Sequence, residues 1–244
     1  MPEGPSIFLA KEALSKFAGK KIISVSGNTT VDQGVLLNKK IIDFKSWGKH
    51  LLICFHNLTL RIHFLMFGSY SVDERKPDRA IRLNLTFKEG EINFYTCSLK
   101  YLEGDVNRHY DWSNDVMNEQ WDKKKAKVKL KALPEMLICD ALLEQDIFSG
   151  VGNIIKNEVF YRVAVHPESL AGKIPTAKLN RIIDETRIYS FQFLEWKRTF
   201  ELKKQWLAHT KKICLRCNLP LIKKQTGLKK RRSFICLNCQ KLFN

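Results

Sequence analysis

The stretch Ile41-Ile42-Asp43-Phe44-Lys45-Ser46-Trp47-Gly48-Lys49-His50-Leu51-Leu52-Ile53-Cys54-Phe55 holds two short β-rich runs, 41–44 and 51–55, parted by a break that carries Gly48. Runs of the same kind recur at 81–87 and 92–95, and clusters of Gly, Asn, Asp or Lys punctuate them. Several short strands at such spacing build a β-sandwich or a flattened barrel. A helix over about residues 7–17 precedes them. Beyond Trp112 the pattern changes to helical spacing over 115–127, 134–145, 153–162 and 176–197, with no strand alternation between. The expected class is therefore α+β: an amino-terminal β-sandwich followed by a helical domain.

The chain has 244 residues, 44% of them hydrophobic, enough to build packed cores and to exclude global disorder. Lys and Arg number 42 against 25 acidic residues, a formal charge of +17. That excess calls for a polyanionic partner, which nucleic acid and an anionic membrane surface both satisfy. The start, MPEGPS, has no basic segment followed by an apolar run, so no secretory signal is read there, and no stretch reaches the length of a membrane span. The expected setting is the cytoplasm or nucleoid. Lys123, Lys124, Lys125, Lys127, Lys129 and Lys131 lie between the two halves and read either as a solvated helix or linker face or as a bed for a duplex.

Of the seven cysteines, Cys54, Cys97 and Cys139 are scattered among apolar neighbours and read as reduced core residues. The other four form two tight pairs, Cys214-Leu-Arg-Cys217 and Cys236-Leu-Asn-Cys239, separated by 18 residues. Such pairs supply four thiolates at tetrahedral geometry, the pattern of a structural zinc site with no open coordination position. The intervening loop carries Lys223, Lys224, Lys229, Lys230, Arg231 and Arg232, as a basic hairpin that contacts DNA would, or as a plain structural knuckle with solvated lysines.

Two further places carry chemistry. Pro2 is small enough for the initiator methionine to be removed, which leaves a secondary amine. An α-amine gives up its proton roughly two pH units below a lysine, so at neutral pH far more of it is nucleophilic and able to form a Schiff base. Glu3 beside it is placed to move protons. Ser149-Gly150-Val151-Gly152-Asn153 lies between helical segments, where glycines permit a tight turn and the following helix start offers N–H groups to an anion. Ordinary punctuation between helices reads the same way.

Taken in order, these pieces resemble the formamidopyrimidine-DNA glycosylase and endonuclease VIII family over essentially the whole chain. The matching motifs are Pro2-Glu3-Gly4-Pro5, Trp47-Gly48-Lys49-His50-Leu51-Leu52, Gly150-Val151-Gly152-Asn153-Ile154 with His166-Pro167 after it, and the terminal four-cysteine finger. The resemblance implies a β-sandwich domain at 1–111, a helix-two-turn-helix domain at 112–200, and a zinc finger at 201–244 packed on it. Damaged double-stranded DNA would lie between the two lobes, bound by a monomer. Pro2 would attack C1′ of the damaged nucleotide and Glu3 would shuttle protons. Lys49 and Asn153 would hold phosphates near the lesion, and Arg231, five residues before Cys236, would be the finger's phosphate ligand, with Arg232 as the alternative. Met66, between Leu65 and Phe67, would fill the space left by an extruded base; without the resemblance these three read as strand core. Cys214, Cys217, Cys236 and Cys239 would hold one zinc ion.

The chain also departs from the family pattern. Ser6 stands where a second Glu is usual. The Arg-Arg-Phe-Gly segment of purine-repairing members is absent near Cys97 to Leu102, and the segment from Trp196 to Cys214 is short for a loop that closes over an oxidised purine. Both absences point to the endonuclease VIII branch and to oxidised pyrimidines and abasic sites, removed by a bifunctional glycosylase and lyase. The competing readings are an oxidised-purine glycosylase, a DNA-binding protein of the same fold without catalysis, and a zinc-finger RNA-binding or translation factor. The last leaves three of the four motifs unexplained.

Overall fold

The computed structural model describes residues 2–244. The chain divides into two compact units, one running up to Asp111 and the other from Trp112 to Asn244. The first opens with helix α1 (Gly4–Leu14), continued by a short 3-10 turn through Phe17. Pro5 sits in its first turn, where a missing N–H does no harm. Ile7, Ala10, Leu14 and Phe17, at helical spacing, are all buried and form the inward stripe that the sequence predicts.

Eight strands follow: β1 (Ser24–Ser26), β2 (Asp43–Trp47), β3 (His50–Phe55), β4 (Leu58–His63), β5 (Ser69–Val72), β6 (Ile81–Phe87), β7 (Gly90–Tyr95) and β8 (Ser98–Glu103). They form two four-stranded antiparallel sheets, ordered β1-β6-β7-β5 and β2-β3-β4-β8. Leu51, Ile53, Leu60 and Ile62 from one sheet and Leu83, Leu85, Ile92 and Phe94 from the other share a core with the α1 stripe. That is a β-sandwich, with the helix packed on β2 and β3.

The second unit contains α2 (Lys123–Lys131), the single turn α3 (Ile138–Ala141), α4 (Asn153–Val163), α5 (Thr176–Arg198) and a hairpin of β9 (Ile222–Thr226) and β10 (Arg231–Ile235). The lysine-rich segment is itself the helix α2, and residues 115–121 before it are not helical, which corrects the expected span of 115–127. Asp122 explains the start, since its carboxylate accepts the N–H groups of Lys124 and Lys125 as an N-cap. Lys123, Lys125 and Lys129 reach back to Asp184, Ser113 and Asn114, so part of the lysine run ties the helix down. The expected helix over 134–145 shrinks to α3. Arg162 on α4 joins that helix to Glu185 and Gln192 of α5 at 2.9 and 2.7 Å. Residues 201–244 belong to the same compact unit as the helices. None of the described helices is long and apolar enough to cross a membrane.

Candidate active site and nucleic-acid interface

In the first unit Pro2 immediately precedes α1, and Glu3 is its N-cap residue. The Glu3 carbonyl accepts Ser6 N–H at 2.8 Å and Ile7 N–H at 3.3 Å, while its side chain makes no capping bond and the residue is only 1% exposed. A carboxylate held in the interior is costly unless it serves an interaction or a reaction. Ser6 lies half-buried in the first turn of α1.

Gly48 and Lys49 form the two-residue turn between β2 and β3, closed by the pair Trp47 and His50. Gly48 has φ 52, the left-handed conformation that puts Gly first in such hairpins. In the next register His50 faces His63 across β3 and β4, so the Lys49 turn and the segment leaving β4 after His63 lie at one end of the sheet. The rings of Trp47, His50, His63 and Tyr110 cluster there, with centroids 5.0–5.8 Å apart. Trp47 Nε1 donates to Asp111 O at 2.9 Å, and Tyr110 Oη lies 3.2 Å from His50 Nδ1. Burial, with the charges of Arg61, His63 and Lys49, brings the His50 pKa down to about 3. His63 is lowered by burial and by Lys49 and Arg61. Both imidazoles are therefore neutral near pH 7, and the ammonium of Lys49 acts on both. His63 Nδ1 accepts Leu65 N–H at 3.2 Å, which places the proton of the neutral ring on Nε2 as a donor. His63, Arg61 and Tyr110 were not singled out as site residues from the sequence; the signal available was only that His63 precedes the Leu65–Phe67 turn.

That turn is not strand core. Leu65, Met66 and Phe67 are 44%, 53% and 70% exposed, three apolar side chains in a row on a surface tip between β4 and β5. The strand alternation ends at Phe64, which is buried.

In the second unit Gly152 is the N-cap of α4 and has no side chain to cap it, and Asn153 is the first helical residue. Asn153 Nδ2 donates to Arg232 O at 2.9 Å and Asn157 Nδ2 to the same oxygen at 3.1 Å, while Asn157 Oδ1 accepts Phe234 N–H at 3.1 Å. Lys156, fully buried, donates to Ser233 Oγ at 2.8 Å. The first turns of α4 thus clamp the backbone of β10 and bring Asn153 beside the Arg231–Arg232 segment. Arg231 shares a strand face with buried Ser233 and is half-buried; Arg232 projects to the other face and is exposed.

The four sulfurs of Cys214, Cys217, Cys236 and Cys239 lie within 4.8 Å of one another. Tetrahedral coordination at zinc–sulfur distances of about 2.3 Å requires sulfurs about 3.8 Å apart. The separations of 3.4 Å for Cys217 and Cys236 and 3.9 Å for Cys214 and Cys239 fit that edge, so the cluster can hold a metal ion with a closed ligand set. Burial opposes ionisation of Cys214, yet the Tyr161 hydroxyl and the amides of Arg216 and Cys217 outweigh it and hold that thiol at about 5. The remaining cysteines, Cys54, Cys97 and Cys139, are buried and unbridged, as core residues should be.

Residues 1–99 match the family model of the formamidopyrimidine-DNA glycosylase N-terminal domain and residues 112–189 that of the formamidopyrimidine-DNA glycosylase H2TH domain. The chain belongs to the formamidopyrimidine-DNA glycosylase and endonuclease VIII family. Among characterised relatives, Endonuclease 8-like 3 of Xenopus laevis is 25% identical over 90% of this chain and 38% of that protein. Endonuclease 8 2 of Mycobacterium bovis is 28% identical over 77% of this chain and 75% of that protein. The chain spans little more than a third of the length of the 8-like 3 proteins it matches. Among solved structures, Lactococcus lactis formamidopyrimidine-DNA glycosylase bound to DNA with an abasic site superposes with a TM-score of 0.86 at 21% identity, covering 98% of this chain and 99% of that one. A viral DNA glycosylase superposes at 0.84 with 19% identity, covering 98% of this chain and all of that one.

Proposed function

We propose that the chain is a bifunctional DNA glycosylase and abasic-site lyase that removes oxidised bases, pyrimidines foremost, from duplex DNA. The observation that carries this reading is the pairing of Pro2 with Glu3, an amine-bearing residue next to a carboxylate buried at the head of α1. With Met1 removed, the Pro2 nitrogen adds to C1′ as the bond from C1′ to the base breaks, and the base leaves with a proton. Glu3 protonates the opening sugar oxygen, giving an iminium that joins protein to DNA. Loss of a proton from C2′ then expels the 3′ phosphate, and hydrolysis of the iminium frees the amine. Lys49 and the Nε2–H of His63, which lie at one end of the sheet, are assigned to hold phosphates beside the reacting sugar. Asn153 and Arg231 are assigned the same task on the second unit.

Met66, at the exposed tip, is assigned the place of the extruded base, since the vacated stack must be filled. We assign one zinc ion to the four cysteines. It would bind no substrate, because four thiolates leave no open position. The absence of Arg-Arg-Phe-Gly and the short 196–214 segment favour oxidised pyrimidines and abasic sites.

Incubation of the purified chain with duplex oligonucleotides carrying single lesions, with borohydride added, tests the proposal. The expected result is release of thymine glycol and dihydrouracil, strand cutting, and a reduced protein–DNA cross-link. A chain with residues left before Pro2 should give neither product nor cross-link while still binding DNA. A cross-link formed at the normal rate by that extended chain would assign the nucleophile to a lysine, Lys49 first.

A further inference from the structure

The Leu65–Phe67 tip is exposed, yet its backbone is constrained. Leu65 has φ 48, a region that an L side chain adopts only when held there, and its N–H is fixed by His63 Nδ1. Gly68 N–H donates to Phe64 O at 2.7 Å, and a β-carbon on Gly68 would collide with that same carbonyl, so the turn closes only with glycine.

The outer ties come from the loop joining β5 to β6. Arg79 Nη1 donates to Phe67 O at 3.1 Å and to Ser69 Oγ at 3.2 Å, and Lys76 Nζ donates to the same Ser69 Oγ at 2.9 Å. That loop is itself fastened to the sandwich. Arg75 forms a bidentate pair with Glu91 at 2.8 and 2.6 Å, and Lys76 N–H donates at 3.0 Å to the hydroxyl of Tyr95, whose side chain is fully buried. Asn93, also buried, reaches Glu74 O at 3.4 Å. A continuous set of polar contacts therefore runs from the buried face of β7 through residues 74–76 and 79 to the carbonyl of Phe67.

We propose that Arg79, assisted by Lys76, is the positioning residue that keeps this turn ready for insertion into the duplex; the inference rests on the wedge role assigned to Met66. A side chain that displaces a stacked base must bear load through its backbone. An apolar tip free to rotate would lose the gain from insertion to the entropy of ordering it. The guanidinium suits the task, because it stays charged at any working pH and its Nη1 meets the carbonyl and the hydroxyl together.

The test uses the full chain with Met66→Ala, Arg79→Ala and Arg79→Lys, and two readouts. One is single-turnover release of thymine glycol from a duplex and from the same strand unpaired. The other needs no chemistry: fluorescence of 2-aminopurine beside a tetrahydrofuran site, which rises when a wedge unstacks it. Arg79→Ala should slow the duplex reaction on the order of tenfold, the size of one or two lost charge-assisted hydrogen bonds. It should leave the single-strand rate within about twofold and reduce the fluorescence rise, and Arg79→Lys should recover part of both. Equal slowing on both substrates, or an unchanged fluorescence rise, overturns the proposal. If Met66→Ala alone shows the selective loss, the brace is wrong and the wedge stands; if Met66→Ala leaves the fluorescence rise intact, the wedge assignment falls with it.

Discussion

Glu3 and His50 show how much a single position depends on its burial. Glu3→Gln keeps the Pro2 amine but removes the group proposed to move protons, so base release should fall by roughly a hundredfold or more, the usual loss for a general acid or base. Borohydride trapping on a preformed abasic site should persist, because no base has to leave there. A parallel loss of both reactions in rapid-quench assays would assign Glu3 a structural role instead. For the histidines the expectation concerns stability. Burial holds His50 at about 3 and His209 at about 4, both below the ordinary 6.5. The unfolded chain therefore takes up these protons first. The stability they contribute is complete above about pH 6.5 and is lost progressively as pH falls towards their folded values. Glu91, lowered from 4.5 to about 2 chiefly by its hydrogen bond from Arg75, adds a loss only below about pH 4.5. Thermal melts should thus depend less steeply on pH between about 6.5 and 3 in His50→Asn, with little change above about pH 7. None of this could be read from the sequence, where His50 is one letter in a motif and nothing marks its contact with His63 and Tyr110.

Elements differ in how openly the sequence announces them. Helix α1 was legible because Ile7, Ala10 and Leu14 repeat at helical spacing, and α4 and α5 were found to within a residue or two for the same reason. The helix expected over 115–127 lies at Lys123–Lys131 instead, because polar residues carry no period; what starts α2 is the cap made by Asp122, a local hydrogen bond. For the β9–β10 hairpin, alternation decides between two adjacent arginines. Arg231 lies on the face of Ser233, which contacts Lys156 of α4, and Arg232 lies on the other, although its carbonyl is what Asn153 grips. Arg231→Ala should weaken binding to damaged and undamaged duplex alike and make the salt dependence shallower by about one unit, as expected for one lost phosphate contact. Arg232→Ala should change that slope less. The reverse order in fluorescence titrations across a salt series would move the assignment to Arg232.

At the level of the whole molecule, the terminal segment is held by more than its cysteines. Three buried charged side chains from the helices are directed at it. Asp140 accepts the N–H groups of Leu228 and Lys229, Lys156 bonds Ser233, and Glu158 accepts Leu207, Ala208 and His209 N–H at 2.7–2.9 Å. Replacing Glu158 by Gln leaves one oxygen for three donors and should lower stability by about 2 kcal/mol, readable in denaturant titration. A metal ion at the four cysteines would add to this docking without replacing it. Chelation, or Cys214→Ser, should release one metal ion and weaken DNA binding. It should also lower the melting temperature of the 112–244 unit while the sandwich melts as before. Metal analysis that finds no zinc in fresh protein would remove the metal assignment.

The sequence by itself determined the class of fold, the four cysteines that come together and could hold a metal, and the start of α4 at Asn153, because hydrophobic period, cysteine spacing and glycine turns are local signals that survive without neighbours. It also carried the motifs that place the chain in its family. Only the tertiary structure decided that Leu65, Met66 and Phe67 stand out as a tip rather than pack as a strand, that His50 and His63 sit as neutral rings beside Lys49, and that Arg79 reaches the carbonyl of Phe67. Each of these rests on burial or on a contact between residues far enough apart in the chain, or on different strands, that no local pattern encodes it. Burial sets the charge state of a group and pairing sets its direction, and both exist only once the sheets have closed on each other.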